Sequence, residues 1–196
     1  MPCDRHPDSH PGPLVAVVPI GKVPAVAATV VAAHIRGYLD LDADVTGAQD
    51  HPAYALDAAR LQYDAARILS ALASLERNTY QCILGLLDVD LFVPIFTHVF
   101  GEAQQGGRCA VVSMFRLGGG SEAGTVPQSI VLERTAKIAL HEIGHLLRLH
   151  HCQDSHCLMH FSGDLDELDA TPFRFCRYCQ ADLHQRPQRL QSRTVR

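Results

Sequence analysis

Residues 141–152 read HEIGHLLRLHHC, and the placement of their four histidines decides what the rest of the chain is for. His141 and His145 are four apart, so on a helix both imidazoles leave one face and can share a cation. Glu142 stands beside the first of them, within reach of a water on that cation. This is the H-E-x-x-H arrangement, in which the carboxylate acts as general base. A catalytic zinc takes three protein ligands and keeps a fourth position open. The third ligand must come from beyond the helix, where both His150 and His151 are available.

Downstream, HCQDSHCLMH (151–160) places Cys152 and Cys157 with four residues between them and Met159 just after. CRYC then gives Cys176 and Cys179. Two close pairs of thiols fit a closed, tetrahedral structural zinc site. The alternatives are a Cys152–Cys157 disulfide and a redox dithiol at 176 and 179. A redox pair belongs at a helix start after a strand, whereas this one lies in a loop-rich tail.

The pattern H-E-x-x-H-x-x-G-x-x-H resembles that of the metzincin metalloproteases, with His141, Glu142, His145 and His151 in register. The extension through C-x4-C-x-M to a distant C-x-x-C resembles the archaemetzincin family specifically, over residues 141–179. The third histidine there abuts the first cysteine, which selects His151 over His150. Sixteen residues separate Met159 from Cys176, one fewer than the family pattern, a difference that a loop absorbs. DVDLF, VFGEA and VVSMFRL are similar to family segments more loosely.

The chain departs from the pattern at Arg148, which occupies the glycine position. That glycine lets the helix end on a left-handed residue, so that the third histidine swings back to the metal. An arginine held in that conformation costs about 1–2 kcal/mol. Metal binding can offset such a cost, since structural zinc sites reach about 10 kcal/mol.

The resemblance implies an α/β, metzincin-like fold. It has a twisted, mostly parallel sheet with an antiparallel edge strand and helices, then a small zinc-stapled C-terminal lobe. It implies two zinc ions per chain. One is catalytic, on His141, His145 and His151; the other is structural, on Cys152, Cys157, Cys176 and Cys179. Met159 would form a hydrophobic turn beneath the catalytic metal. Some metzincins add a tyrosine ligand two residues after this methionine; Phe161 stands there. The implied activity is peptide-bond hydrolysis, with water activated by Glu142 and the peptide docked along a sheet edge at residues 96–103, which include Phe100 and Glu102.

Working outward, LVAVVPIG (14–21) reads as a buried strand, and residues 24–39 as a helix stopping near Gly37. A short strand is expected around Val45. AYALDAARLQYDAARILSALASL (53–75) reads as one amphipathic helix, and QCILGLLDVDLF (81–92) as a continuous apolar strand. Residues 97–117 suggest a hairpin around Gly106 and Gly107, and 118–125 a flexible loop. A long helix should run from about Pro127 through the metal motif, and a short one over 177–186. The expected organisation is a flexible start (1–13), one catalytic domain (14–186, divided at 148/149) and a basic tail (187–196).

Composition bounds the partners. A net charge of -4 opposes nucleic-acid binding, which rests on positive charge, and opposes a polybasic membrane surface. No apolar run approaches the ~18 residues of a membrane span, and the start lacks the basic and apolar regions of a secretory signal. The expectation is a cytoplasmic monomer acting on peptide or protein, with no nucleic acid and no membrane. In that compartment seven cysteines point to metal or catalysis, not disulfides. His34 and His98 are expected to be structural, and Cys82 and Cys109 to be small core residues. Asp88 and Asp90 should serve loop hydrogen bonding, and His150, His156 and His160 should face water or local partners. Two other readings remain beside the peptidase. One is a peptide-binding protein with a weak catalytic site; the other is a four-cysteine module with His141 and His145 on its surface.

Overall fold

A computed structural model describes residues 14–75, 79–119 and 126–184. The expected flexible start, the basic tail and most of the 118–125 loop lie outside the described residues. A five-stranded sheet runs β2-β1-β5-β9-β8. Its members are β1 (Val15–Ile20), β2 (Ala43–Val45), β5 (Cys82–Leu87), β8 (Gly101–Ala103) and β9 (Cys109–Ser113). All neighbours pair in parallel except β8, which runs antiparallel to β9 and forms the edge. This is the mostly parallel sheet with an antiparallel edge that the resemblance implies.

The three central strands are buried along their whole length because both faces are covered, which is why they read as continuous apolar runs. Val15, Val17, Leu84, Leu86, Ala110 and Val112 face α1 (Ala25–Leu39) and α3 (Gln128–Leu146). Ala16, Val18, Ile83, Leu87 and Val111 face α2 (Ala65–Ala73). Helix α1 continues two residues past Gly37 and ends at Asp40, which takes the left-handed conformation at φ 53°.

The helix expected over 53–75 is corrected: only its second half is helical. A 3-10 turn at Ala53–Ala55 leads into β3 (Leu56–Asp57) and β4 (Gln62–Asp64), which pair antiparallel. Two aspartates explain the break. The Asp57 carboxylate accepts from the Ala59 and Arg60 amides and folds the chain into a turn, where Leu61 is left-handed at φ 56°. Asp64 accepts from the Ala66 and Arg67 amides and caps α2. Such local side-chain bonds compete with a helical backbone.

The strand expected over 81–92 is likewise corrected. It ends at Leu87, bends, and resumes as β6 (Leu91–Val93) in a second sheet ordered β3-β4-β6-β7, with β7 at Phe96–Val99. The edge expected over 96–103 is therefore two strands: 96–99 belong to the second sheet and only 101–103 edge the first. After α3 come α4 (Leu165–Ala170), whose cap Asp164 accepts from the Glu167 amide, and α5 (Arg177–His184). Among the described residues no helix is long and apolar enough to cross a membrane.

Candidate metal centres and active-site cleft

Helix α3 carries His141 and His145 into a cleft of about 590 Å³, lined on one side by 96–103 and on the other by Leu158 and residues 160–163. The two Nε2 atoms are 3.0 Å apart. Each ring is held from behind: His141 Nδ1 donates to the Leu158 carbonyl at 2.7 Å, and His145 Nδ1 to that of Leu149 at 2.8 Å. A carbonyl only accepts, so both Nδ1 atoms carry the proton and both Nε2 atoms present a lone pair. His151 completes the group, with one donor nitrogen from each ring within 4.8 Å of the others. Tetrahedral zinc–nitrogen bonds of about 2.0–2.1 Å separate ligand nitrogens by about 3.3 Å, so the spacing fits that ion. Burial, then the neighbouring His145, hold His141 down to about 3, which keeps it neutral and able to ligate.

The chain reaches His151 through a left-handed residue. Arg148 sits at φ 68°, its amide bonds the His145 carbonyl, and the Leu149 amide bonds that of Gly144. These two bonds are those of a Schellman ending, so arginine adopts the geometry for which a glycine was expected. The hairpin turn between β8 and β9 braces this ending. The Gly106 amide donates to the His145 carbonyl at 2.8 Å, and Gln105 Nε2 to the Leu149 carbonyl at 2.9 Å.

Glu142 is 7% exposed, with its carboxylate against the β8 backbone. A Cβ placed on Gly101 would lie 2.6 Å from Oε1. Burial, then the Glu102 carboxylate, raise Glu142 well above the ordinary carboxylate value; a divalent cation beside it acts in the opposite direction.

The four cysteines form a second cluster, with all Sγ atoms within 4.8 Å and Cys152 Sγ 3.7 Å from Cys176 Sγ. Zinc–sulfur bonds of about 2.3 Å separate tetrahedral sulfurs by about 3.8 Å, so this donor set also fits zinc. The six described cysteines are all free of disulfides, and Cys82 and Cys109 are buried in the core. Burial disfavours the Cys176 thiolate, but hydrogen bonds from the Cys179 and Tyr178 amides and with the Cys152 and Cys179 thiols together hold it below its ordinary value. Met159 is fully buried with Leu149, Cys157 and Cys179, between the two clusters.

His150 is exposed and outside the histidine group. His156 pairs with Asp154 at the surface, and His160 Nδ1 bonds the Cys152 carbonyl. His34 bonds the Val30 carbonyl, while His98 lines the cleft rim. Asp90 takes two hydrogen bonds from Arg116 at 2.6 Å. The fits at Gly101 and Gln105 were not anticipated from the sequence, because their partners lie 41 and 44 positions away.

A family model described as peptidase family M54 matches residues 42–185. The archaemetzincin of Haloquadratum walsbyi is 34% identical over 87% of this chain and 99% of its own length. That of Natronomonas pharaonis is 34% identical over 86% and 98%. The crystal structure of the Methanopyrus kandleri archaemetzincin superposes with a TM-score of 0.81 at 32% identity, covering 92% of this chain and 98% of that one. The Archaeoglobus fulgidus archaemetzincin, complexed with malonate, gives 0.74 at 31% identity over 86% and 99%. The fold, the two zinc-compatible donor sets and these likenesses agree: the chain belongs to the archaemetzincins, peptidase family M54, and is a zinc metallopeptidase.

Proposed function

We propose that His141, His145 and His151 hold the catalytic zinc, that Glu142 is the general base, and that Cys152, Cys157, Cys176 and Cys179 hold a second, structural zinc. The observation that carries this reading is the convergence of three imidazoles beside a buried carboxylate at an open sheet edge. Zinc in the histidine site supplies Lewis acidity, polarising a carbonyl and lowering the pKa of water towards about 7. Glu142 takes the proton from the attacking water and later passes it to the leaving amine as the C–N bond breaks. Met159 packs beneath the histidines and does not ligate.

The edge strand orients the peptide. Ser113 N bonds Phe100 O and Gln104 N bonds Cys109 O, so in this antiparallel register the even-numbered residues of 100–104 face β9. The backbone groups of Gly101 and Ala103 therefore face away from β9, toward the open edge. An extended peptide adds there as a further strand, its carbonyl brought to the metal site and to Glu142. Arg148, already left-handed, removes the main reason for reading the site as a weak, purely peptide-binding one.

Elemental analysis of zinc per chain, on wild type and His141→Ala, tests the assignment. Two zincs falling to one is expected; one zinc in both would overturn the histidine site. Glu142→Gln should keep both zincs and lose about 10²–10⁴-fold in turnover of an unstructured peptide. Full turnover in that variant would remove Glu142 from the mechanism.

A further inference from the structure

The three imidazoles are not held alike. His141 and His145 are each tethered through Nδ1 to a backbone carbonyl. His151 has no such tether: among the described residues no backbone or side-chain group hydrogen-bonds its ring, and it is exposed. A ligand free to rotate must be ordered when metal binds, and this weakens the site.

The aromatic ring from outside the histidine group that meets the His151 ring is Phe161. The two centroids are 5.4 Å apart, with the rings at 66°, edge to face. Phe161 in turn stacks on Phe96, centroids 6.1 Å apart and planes 27° apart. Phe96 lies on β7 of the second sheet, on the opposite wall of the cleft. The two phenylalanines are 49% and 46% exposed, and neither belongs to a core cluster. Core packing therefore does not explain them. Together they form a bar across the cleft mouth that ends on the one untethered ligand.

We propose that Phe161, braced across the cleft by Phe96, is the positioning residue for His151. Two ligands are oriented by carbonyls and the third by an aromatic ring, which restricts rotation without offering a competing hydrogen bond. At the position where a tyrosine could ligate, the phenyl ring acts on the ligand instead of the metal. The proposal rests on the three-histidine zinc reading.

The test is zinc affinity of the full chain, measured by chelator competition that resolves two zincs. Thermal stability of the metal-stripped protein and occupancy of the four-cysteine site are followed in parallel. Phe161→Ala should weaken the histidine-site zinc about tenfold or more and leave the cysteine-site zinc and the stability unchanged. Phe161→Trp, which keeps an aromatic ring there, should restore most of the affinity. Phe96→Ala should weaken it a few-fold, and that effect should vanish in the Phe161→Ala background. Ile95→Ala, which removes an exposed apolar neighbour outside the stack, should change nothing.

Wild-type zinc affinity in Phe161→Ala would overturn the proposal. So would equal losses at both zinc sites, which would mark Phe161 as merely structural. A wild-type chain from which His141→Ala removes no zinc would instead bring down the underlying zinc assignment, and the proposal with it.

Discussion

The sulfur of Met159 occupies the space that a Cβ on Gly144 would fill, with Met159 Cε only 3.1 Å from that position. Gly144 is the residue between Glu142's neighbour Ile143 and His145, buried in the last turn of α3, where alanine is intrinsically better by up to about 1 kcal/mol. Met159 is fully buried among Leu149, Cys157 and Cys179 and cannot withdraw. Gly144→Ala should therefore destabilise by about 1–3 kcal/mol despite its helix propensity, since overpacking costs that much. Met159→Ala should relieve it: in denaturant unfolding the double variant should be less destabilised than the sum of the singles, by about 1 kcal/mol or more. Simple additivity would show that the two side chains do not compete for this space.

Gly101 plays the same role for Glu142. Any Cβ there meets Oε1 at 2.6 Å and Cγ at 2.8 Å, so Gly101→Ala must displace the carboxylate, the strand or both. A displacement near 1 Å at the reacting centre can cost about 10²-fold. Turnover of Gly101→Ala should fall by that order while both zincs remain, as measured by stopped assays beside elemental analysis. An unchanged kcat would mean that Glu142 tolerates the shift and is not held by this contact.

These two glycines mark the boundary of what the sequence could reveal. His141, Glu142, His145 and the cysteine pairs were legible because their chemistry depends on short spacings along one element. So were the buried strands, whose apolar runs carry their own signal. Gly101 and Gly144 matter through side chains 41 and 15 positions away, and no local pattern announces such contacts. Residues 53–64 misled for another reason. Their alanines and leucines favour a helix, yet Asp57 and Asp64 each bind two amides and impose a turn and a cap. The division at Phe100 was hidden because 96–99 and 101–103 are both extended, and only a bend at Phe100 and their different pairing partners distinguish them.

Arg148 offers a ranking test. Its left-handed backbone costs about 1–2 kcal/mol relative to glycine, while its side chain packs over Gly106, with Cγ 2.9 Å from where a Cβ would stand. Arg148→Gly removes the strain and loses the packing, and should be up to about 1 kcal/mol more stable than wild type. Arg148→Ala keeps the strain and loses the packing, so it should be the least stable of the three. Denaturation midpoints would check the order glycine, arginine, alanine. Alanine above arginine would show that the packing on Gly106 contributes nothing.

Asp90 supplies a pH dependence from a residue outside both metal clusters. Burial disfavours its charge, but two hydrogen bonds from Arg116, helped by Gln62 at 3.0 Å, outweigh burial and hold its carboxyl below the ordinary value. A carboxylate whose folded pKa is depressed stabilises the fold above its unfolded pKa of about 3.9. That contribution disappears as pH falls through the lower, folded value. The Asp90 side chain is 11% exposed and Arg116 42%, so solvent screening reduces the gain, and about 1–2 kcal/mol is expected for Asp90→Asn at neutral pH. Urea unfolding of wild type and variant should show this gap constant from pH 7 to about 5 and closing below about 4. Taking the difference between the two proteins cancels the loss of metal that acid causes in both. A gap that persists at pH 2–3 would show that the asparagine fails on shape, not on charge.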